Sequence, residues 1–371
     1  MSQSSLTIVA ETLAQWLDDG AELAIVDIRA KAETGSYGAP LFGKNIPADA
    51  LLNDIALYVP RKVVRTVLVD GGDGQGEAFA SQLRAQGWAN IAALEGGFPA
   101  WIASDHAEGR SFDIPGKDFS LAVRAERNTP AVTVQTLAER RAAGEDVIVI
   151  DTRTVPEFTR DHVPGAVNIP AAELLLRFPD VVTSPTTQVV VSCAGLPRAI
   201  LGAQTLIDAG VDNPVAYLED GTAAWRRAGW ELETGATRLY GPANAAGRQF
   251  GRAHVGNFAS VATIPQIDLA TARAWAADPD RTTYLLDVRT PEEFAESHLD
   301  GTLSSEGGQL VGLSSRTIAT RGARLVLIDD QDGIRAATVA HWLSRRPFEI
   351  AILRHDFAAE AETQQAETAL A

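Results

Sequence analysis

Along the chain, short runs of β-branched and aliphatic residues alternate with longer stretches whose apolar positions recur at helical spacing. Val189, Val190 and Val191 read as a buried strand, and Ile200, Leu201 and Ile207 place a helix over Arg198 to Ala209. Val147–Asp151 and Val215–Leu218 read as further strands, with Thr222 to Arg227 helical. Strands that alternate with helices predict a parallel sheet covered on both faces. Between the Val189 strand and the Arg198 helix lies a tight loop, Cys193-Ala194-Gly195-Leu196-Pro197-Arg198. In an open parallel sheet that is the ligand position, where the carboxyl end of a strand faces a helix N-terminus.

The same unit recurs. A strand ending in Asp-x-Arg appears at Asp27-Ile28-Arg29, Asp151-Thr152-Arg153 and Asp287-Val288-Arg289. A second landmark follows each: LEGGFPAW from Leu94, LEDGTAAW from Leu218, and an eroded LRHDFAAE from Leu353. The expected organisation is a first domain over 1–105 and a second over 130–230. A Gly-rich linker over 231–264, a third domain over 265–358 and a polar tail over 359–371 follow. The linker carries Arg248, Arg252 and His254, read mainly as solvated, with a reach over an anion site as the second reading. Counting back from Leu83, Leu206 and Leu343, the position of Cys193 is held by Asp70 in the first unit and Asp330 in the third. The position of Arg198 is held by Gln75 and Arg335.

Composition narrows the chemistry. Cys193 is the one cysteine in 371 residues, which excludes an intramolecular disulfide and any multi-cysteine metal site. A formal net charge of −16 disfavours nucleic acid and anionic membrane surfaces. No cofactor and no metal is expected, since the histidines show no ligand spacing. The opening residues lack the basic start and apolar core of a targeting signal, and no stretch suits a bilayer span, so a cytoplasmic location is expected. A homo-oligomer stays open.

The helix N-terminus, the loop N–H groups and a nearby guanidinium are all expected to favour the Cys193 thiolate. An aspartate cannot act as a thiol nucleophile, so only the second unit can do cysteine chemistry. The Gly-rich loop from Asp70 to Gly76 misses the nucleotide-binding spacings and carries two carboxylates, which makes it a degenerate active loop. Arg198 has two readings of equal weight, orienting an anionic substrate or bracing the loop. Asp151 and Arg153 recur in units without cysteine, so their common role is structural, with substrate contact by Arg153 secondary. His162 has a counterpart, His298, in the third unit, which argues for a hydrogen-bonded structural role. Trp101 and Trp225 are expected to close their cores.

With these residues in view, the repeats resemble rhodanese-homology domains. IDTRTVPEFTRDHVPGAVNIP from Ile150 looks like that family's signature, Cys193 to Arg198 like its active loop, and LEDGTAAW like its closing element. The stretch CAGLPRAILGAQTLIDAG is similar to the active repeat of bacterial multi-repeat rhodaneses. The resemblance implies a doubly wound α/β fold in three tandem domains and transfer of sulfane sulfur through a Cys193 persulfide. It implies thiosulfate or a related persulfide as donor, cyanide or a thiol as acceptor, and ping-pong kinetics. Backbone N–H groups of Ala194, Gly195, Leu196, Arg198 and Ala199 would cradle the persulfide; Pro197 can donate nothing. A Cys-x4-Arg loop is the sulfurtransferase length in this superfamily, whereas Cys-x5-Arg marks phosphatases and arsenate reductases. Two other readings stay open: a non-catalytic rhodanese-fold scaffold, and a phosphatase or arsenate reductase-like enzyme.

Overall fold

The computed structural model describes residues 5–30, 43–106, 116–236 and 238–357. The tail 359–371 and the middle of the connection between the first two units lie outside them. Three sheets are present among the described residues. The second is wholly parallel in the order β6-β10-β9-β7-β8, with β6 at Ala131–Val132, β7 at Val147–Asp151, β8 at Val167–Asn168, β9 at Gln188–Ser192 and β10 at Val215–Leu218. Consecutive residues of β9 serve opposite faces, as the period of two requires. Val189 and Val191 pack with Ile200, Ala203 and Leu206 of the helix Pro197–Asp208. Val190 packs with Leu137, Phe158 and Trp225 on the other side. Burial on both faces explains why β9 reads as an unbroken apolar run rather than an alternating one.

The first sheet runs β1-β5-β4-β2, with β1 at Thr7–Ile8, β2 at Leu23–Asp27, β4 at Arg65–Val69 and β5 at Ile91–Leu94; β3, Lys44–Asn45, also pairs with β2. The third runs β12-β11-β14-β15, with β11 at Thr283–Asp287, β12 at Leu303–Ser304, β14 at Arg324–Asp329 and β15 at Glu349–Arg354. In all three the central strand ends one residue before the aligned position: β4 before Asp70, β9 before Cys193 and β14 before Asp330.

The third unit packs against both others. Its β13, Thr320–Arg321, pairs antiparallel with β2 of the first unit, and Glu22 accepts the Thr282 N–H at 2.6 Å. Toward the second unit, Trp342 Nε1 donates to Thr205 Oγ1 at 2.8 Å and His341 Nε2 meets Asp208 Oδ2 at 3.0 Å.

The connection over 231–264 corrects the solvated-linker reading. It contains a helix, Ala245–Val255, capped by Asn244, whose Oδ1 accepts the Gly247 N–H at 2.8 Å. Phe250 stacks on Phe178 at 5.5 Å. A Cβ on Gly247 would fall 2.0 Å from the Leu176 carbonyl oxygen. That glycine permits close packing against the helix Leu174–Val181 rather than flexibility. Among the described residues no helix is long and apolar enough to cross a membrane.

Candidate active site

Cys193 follows β9 directly, and the chain then turns through three residues, Ala194 to Leu196, into the helix that Pro197 begins. Proline suits that first helical position, where an N–H would lack a partner anyway. Cys193 is 1% exposed. The Gly195 N–H points at its sulfur, 3.4 Å away, and the Ala199 N–H acts on it as well. Ala194 lines the cavity in front of the sulfur, and Leu196 turns into the core. Burial pushes the Cys193 thiol up, with Arg198 and these two N–H groups opposing. Arg198 and the two N–H groups favour the thiolate, as expected, while desolvation of the buried sulfur acts against them and is the larger effect.

The other units show what the loop accommodates. In the first, Asp70 Oδ1 accepts the Gly72 N–H at 2.9 Å and Oδ2 accepts the Gly76 N–H at 2.8 Å. These donors stand two and six residues along, as Gly195 and Ala199 do from Cys193. A carboxylate therefore sits among the same N–H groups that surround the Cys193 sulfur in the second unit. In the third unit the arrangement shifts by one: Asp329 Oδ2 takes the Ala336 N–H at 2.9 Å, and Asp330 Oδ1 takes the Asp332 N–H at 3.0 Å.

The closing motif explains itself through this loop. Gly221 has φ +45°, and a Cβ there would lie 1.8 Å from the Cys193 carbonyl oxygen. The next residue donates its N–H to that oxygen at 3.0 Å, and Ala223 N–H reaches the Ala194 carbonyl at 3.2 Å. Gly221→Ala is therefore expected to lower stability by about 2 kcal/mol or more. Gly229→Ala, with φ +78° but open space around it, should cost only about 1 kcal/mol. Equal urea midpoints for the two variants would mean that the approach to Cys193 is not what selects glycine.

Arg198 is held bidentately by Glu157, Nη1 to Oε2 at 2.6 Å and Nη2 to Oε1 at 2.8 Å. Of the two readings for this residue, the geometry displays the bracing one. Sequence reasoning missed Glu157. Its signal was the capping box of the helix Val155–Arg160, where Thr154 Oγ1 meets Glu157 Oε2 at 2.9 Å, and its repetition as Thr290 and Glu293. Burial would raise Glu157, but Arg198 and Thr154 hold it down to about 2 from an ordinary 4.5. A depressed carboxylate stabilises the fold above its unfolded value and loses that contribution as pH falls toward the folded one. Hence Glu157→Gln should melt lower than wild type near pH 6, with the gap closing toward about pH 3. A pH-independent gap in thermal melts would rule this out.

The remaining sequence-singled residues fall away from the sulfur. Arg153 is wholly buried, donating through Nη2 to Asp151 at 2.8 Å and through Nη1 to Asp161 at 3.2 Å. Its secondary reading as a substrate contact is thus corrected, since both ends of its guanidinium are occupied inside the core. His162 Nδ1 meets the Phe158 carbonyl at 2.8 Å and stacks on that ring, and His298 does the same with Phe294. Trp101 and Trp225 are buried in their cores. Arg248 binds Asp330 and Asp332 at 2.8 and 2.6 Å, and Arg252 binds Asp332 at 2.6 Å. The basic cluster therefore covers the acidic loop of the third unit, not Cys193. No group of side chains among the described residues could hold a metal ion.

A cavity of about 420 Å³ opens in front of the sulfur. One wall is the second unit's own, with Thr154, Glu157, Arg160 and Arg198; the other comes from the third unit, through Gln309, Gly312, Leu313 and Arg316. A thiol at the base of a cleft between two units, with N–H groups converging on it, is an arrangement suited to covalent group transfer from a small molecule.

Comparison with known proteins agrees with this geometry. The model of the rhodanese-like domain matches twice, at residues 9–104 and 133–228. The crystal structure of a thiosulfate sulfurtransferase from Pseudomonas aeruginosa superposes with a TM-score of 0.85 at 36% identity, over 95% of this chain and 68% of that one. An HTH-type transcriptional regulator from Mycobacterium tuberculosis is 35% identical over 121 residues, 32% of this chain. The chain spans about half the length of that curated relative, 52%. With two matches that together cover half of its length, the chain belongs to the rhodanese-like domain family.

Proposed function

We propose that the protein is a sulfurtransferase that carries sulfane sulfur on Cys193, with thiosulfate or a related persulfide as donor and cyanide or a thiol as acceptor. The observation that carries this reading is the placement of the chain's one cysteine: at the end of β9, beneath converging N–H groups, in the cleft between the second and third units. The likeness to the thiosulfate sulfurtransferase over nearly the whole chain supports it. In the first half-reaction the thiolate attacks the outer sulfur of thiosulfate. A sulfur–sulfur bond forms to Cys193, the bond to the sulfonate sulfur breaks, and sulfite leaves with its electron pair. In the second, cyanide attacks the outer sulfur, thiocyanate departs and the thiolate returns.

On this reading the first unit and the segment after residue 264 are repeats without a nucleophile, each filling its cradle with carboxylate. The third contributes a wall of the working cleft. Intact-protein mass spectrometry after thiosulfate tests the proposal. The expected result is a single added sulfur of about 32 Da that cyanide discharges. Absence of the adduct while Cys193 still alkylates would dismiss thiosulfate as donor. A cysteine that neither alkylates nor gains sulfur would favour the scaffold reading.

A further inference from the structure

Thr152 lies directly after β7 and is 1% exposed. It is the middle residue of Asp151-Thr152-Arg153, where the other two units hold Ile28 and Val288. The backbone is alike in all three. The N–H of this residue donates to a carbonyl near the end of the central strand, Ser192 at 3.0 Å, Val69 at 2.9 Å and Ile328 at 3.0 Å. What the unit with the cysteine adds is a hydroxyl.

Packing aims that hydroxyl. The Thr152 methyl group faces Gly202, where an added Cβ would fall 3.1 Å from it. Gly202 lies one turn along the helix Pro197–Asp208 from Arg198, so the two share the helix face that meets Thr152. Oγ1 stands 3.2 Å from the Ser192 carbonyl oxygen and 3.3 Å from the Arg198 carbonyl oxygen, and its one hydrogen is shared between them. Both carbonyls belong to peptide groups next to the sulfur. The Ser192 carbonyl shares its plane with the Cys193 N–H, and the Arg198 carbonyl with the Ala199 N–H. In a trans peptide the two groups point in opposite directions. A donor that holds the Arg198 oxygen on one side therefore fixes the Ala199 N–H on the other, where it acts on the sulfur.

The other units indicate why they lack this hydroxyl. At the matching places the Gly76 and Ala336 N–H groups meet carboxylate oxygens of Asp70 and Asp329, at 2.8 and 2.9 Å. A charged oxygen draws such a donor into line by itself. Sulfur is a weaker acceptor, and the Gly195 N–H stands 3.4 Å from it.

We propose that Thr152 is a positioning residue for Cys193, whose hydroxyl clamps the Arg198 peptide so that the Ala199 N–H stays directed at the sulfur and favours the thiolate. This deepens the sulfurtransferase reading and rests on it only for the use to which the thiolate is put. The charged groups that act on the sulfur are Arg198, in favour of the thiolate, and Asp151, against it; Arg198 is paired with Glu157 and Asp151 with Arg153. Glu157, Arg160 and Arg316 line the cavity in front. None of these charges is altered in a Thr152 variant, so a change in the thiol's titration reports on the N–H groups.

The test is the rate of iodoacetamide reaction across pH, read at the chain's one cysteine. Thr152→Val keeps the methyl packing and removes the donor. Its apparent thiol pKa is expected about half a unit above wild type, giving roughly threefold slower alkylation at pH values below both. Thr152→Ser keeps the donor and should alkylate within about 1.5-fold of wild type. A residue with a merely structural role would lower the urea midpoint in Thr152→Val without moving this profile. That result, or a Thr152→Ser variant as slow as Thr152→Val, would overturn the assignment. Should Thr152→Val fold poorly, Thr152→Ala, which also lacks the donor, takes its place in the comparison with Thr152→Ser. Alkylation needs no sulfur donor, so if thiosulfate fails to load wild type the functional reading falls while the profile still judges Thr152.

Discussion

Cys193→Ser is expected to abolish sulfur transfer, lowering kcat/KM on the order of 10³-fold or more while leaving the fold intact. A serine hydroxyl placed on the same backbone is not ionised at neutral pH and attacks a sulfur centre poorly. It also cannot hold a sulfane sulfur as a persulfide, so both half-reactions stop together. The surrounding frame should survive, because the loop is held by backbone contacts: Thr222 N–H to the Cys193 carbonyl and Ala223 N–H to the Ala194 carbonyl. The variant's urea midpoint should therefore correspond to a change of about 1 kcal/mol or less. In wild type, with one cysteine per chain, thiosulfate-loaded protein freed of excess donor should release one thiocyanate per chain on adding cyanide. A stoichiometry above one, or residual turnover in Cys193→Ser, would mean that a group other than this thiol carries the sulfur.

The parallel sheets and the strand–loop–helix at Cys193 were legible because they rest on local patterns. β-branched runs mark strands buried on both faces, and the repeat brings Asp70, Cys193 and Asp330 into register at the ends of β4, β9 and β14. What escaped lies in contacts between elements far apart in sequence. The Glu157 clamp on Arg198 joins residues 41 apart, and no local periodicity reports it. The helix Ala245–Val255 was hidden by its own glycines, which signal looseness in sequence but serve close packing in the fold. Its arginines read as solvated, with an anion site as the second reading, because the acidic partners, Asp330 and Asp332, sit 80 or more residues away in the third unit. The thiol's upward shift was missed for the same reason: helix ends can be read from sequence, whereas burial of the sulfur depends on neighbours brought in from elsewhere.

One regularity links the second unit to the third. Arg335 stands where Arg198 does, six residues beyond the last residue of its central strand, and it too is gripped by a capping-box glutamate, Glu293. The difference lies in what else surrounds the guanidinium. Arg198 faces a cavity with a sulfur at its base. Arg335 faces Asp329, Asp330 and, from the second unit, Glu173. The same arginine–glutamate device thus braces the loop that carries Cys193 in one case and locks two units together in the other.

That lock predicts the largest stability effect in the molecule. The Arg335 side chain is 0% exposed; it contacts Glu173, meets Glu293 at 2.8 Å and meets Asp329 at 3.3 Å, while Glu173 also holds Arg177 at 2.9 Å. Arg335→Met fills comparable volume but leaves these buried carboxylates without their shared cation, which should cost about 3–5 kcal/mol. The pH dependence identifies the cause. Burial already pushes Asp329 well above the ordinary carboxylate range, with Asp330 adding to it and Arg335 opposing. Without Arg335 the raised Asp329 rises further and Glu293 loses the cation that helps hold it low, so folded protein binds protons that unfolded chain releases, and stability falls as pH rises. Urea unfolding should show the full deficit near pH 8 and a smaller one near pH 5. Adding Glu173→Gln to Arg335→Met should recover part of the loss, because one buried charge is then removed with the cation. A deficit equal at both pH values and unrelieved by the second substitution would instead assign the loss to packing, and the seam between the second and third units would then be held by its apolar contacts and by bonds such as Trp342 to Thr205.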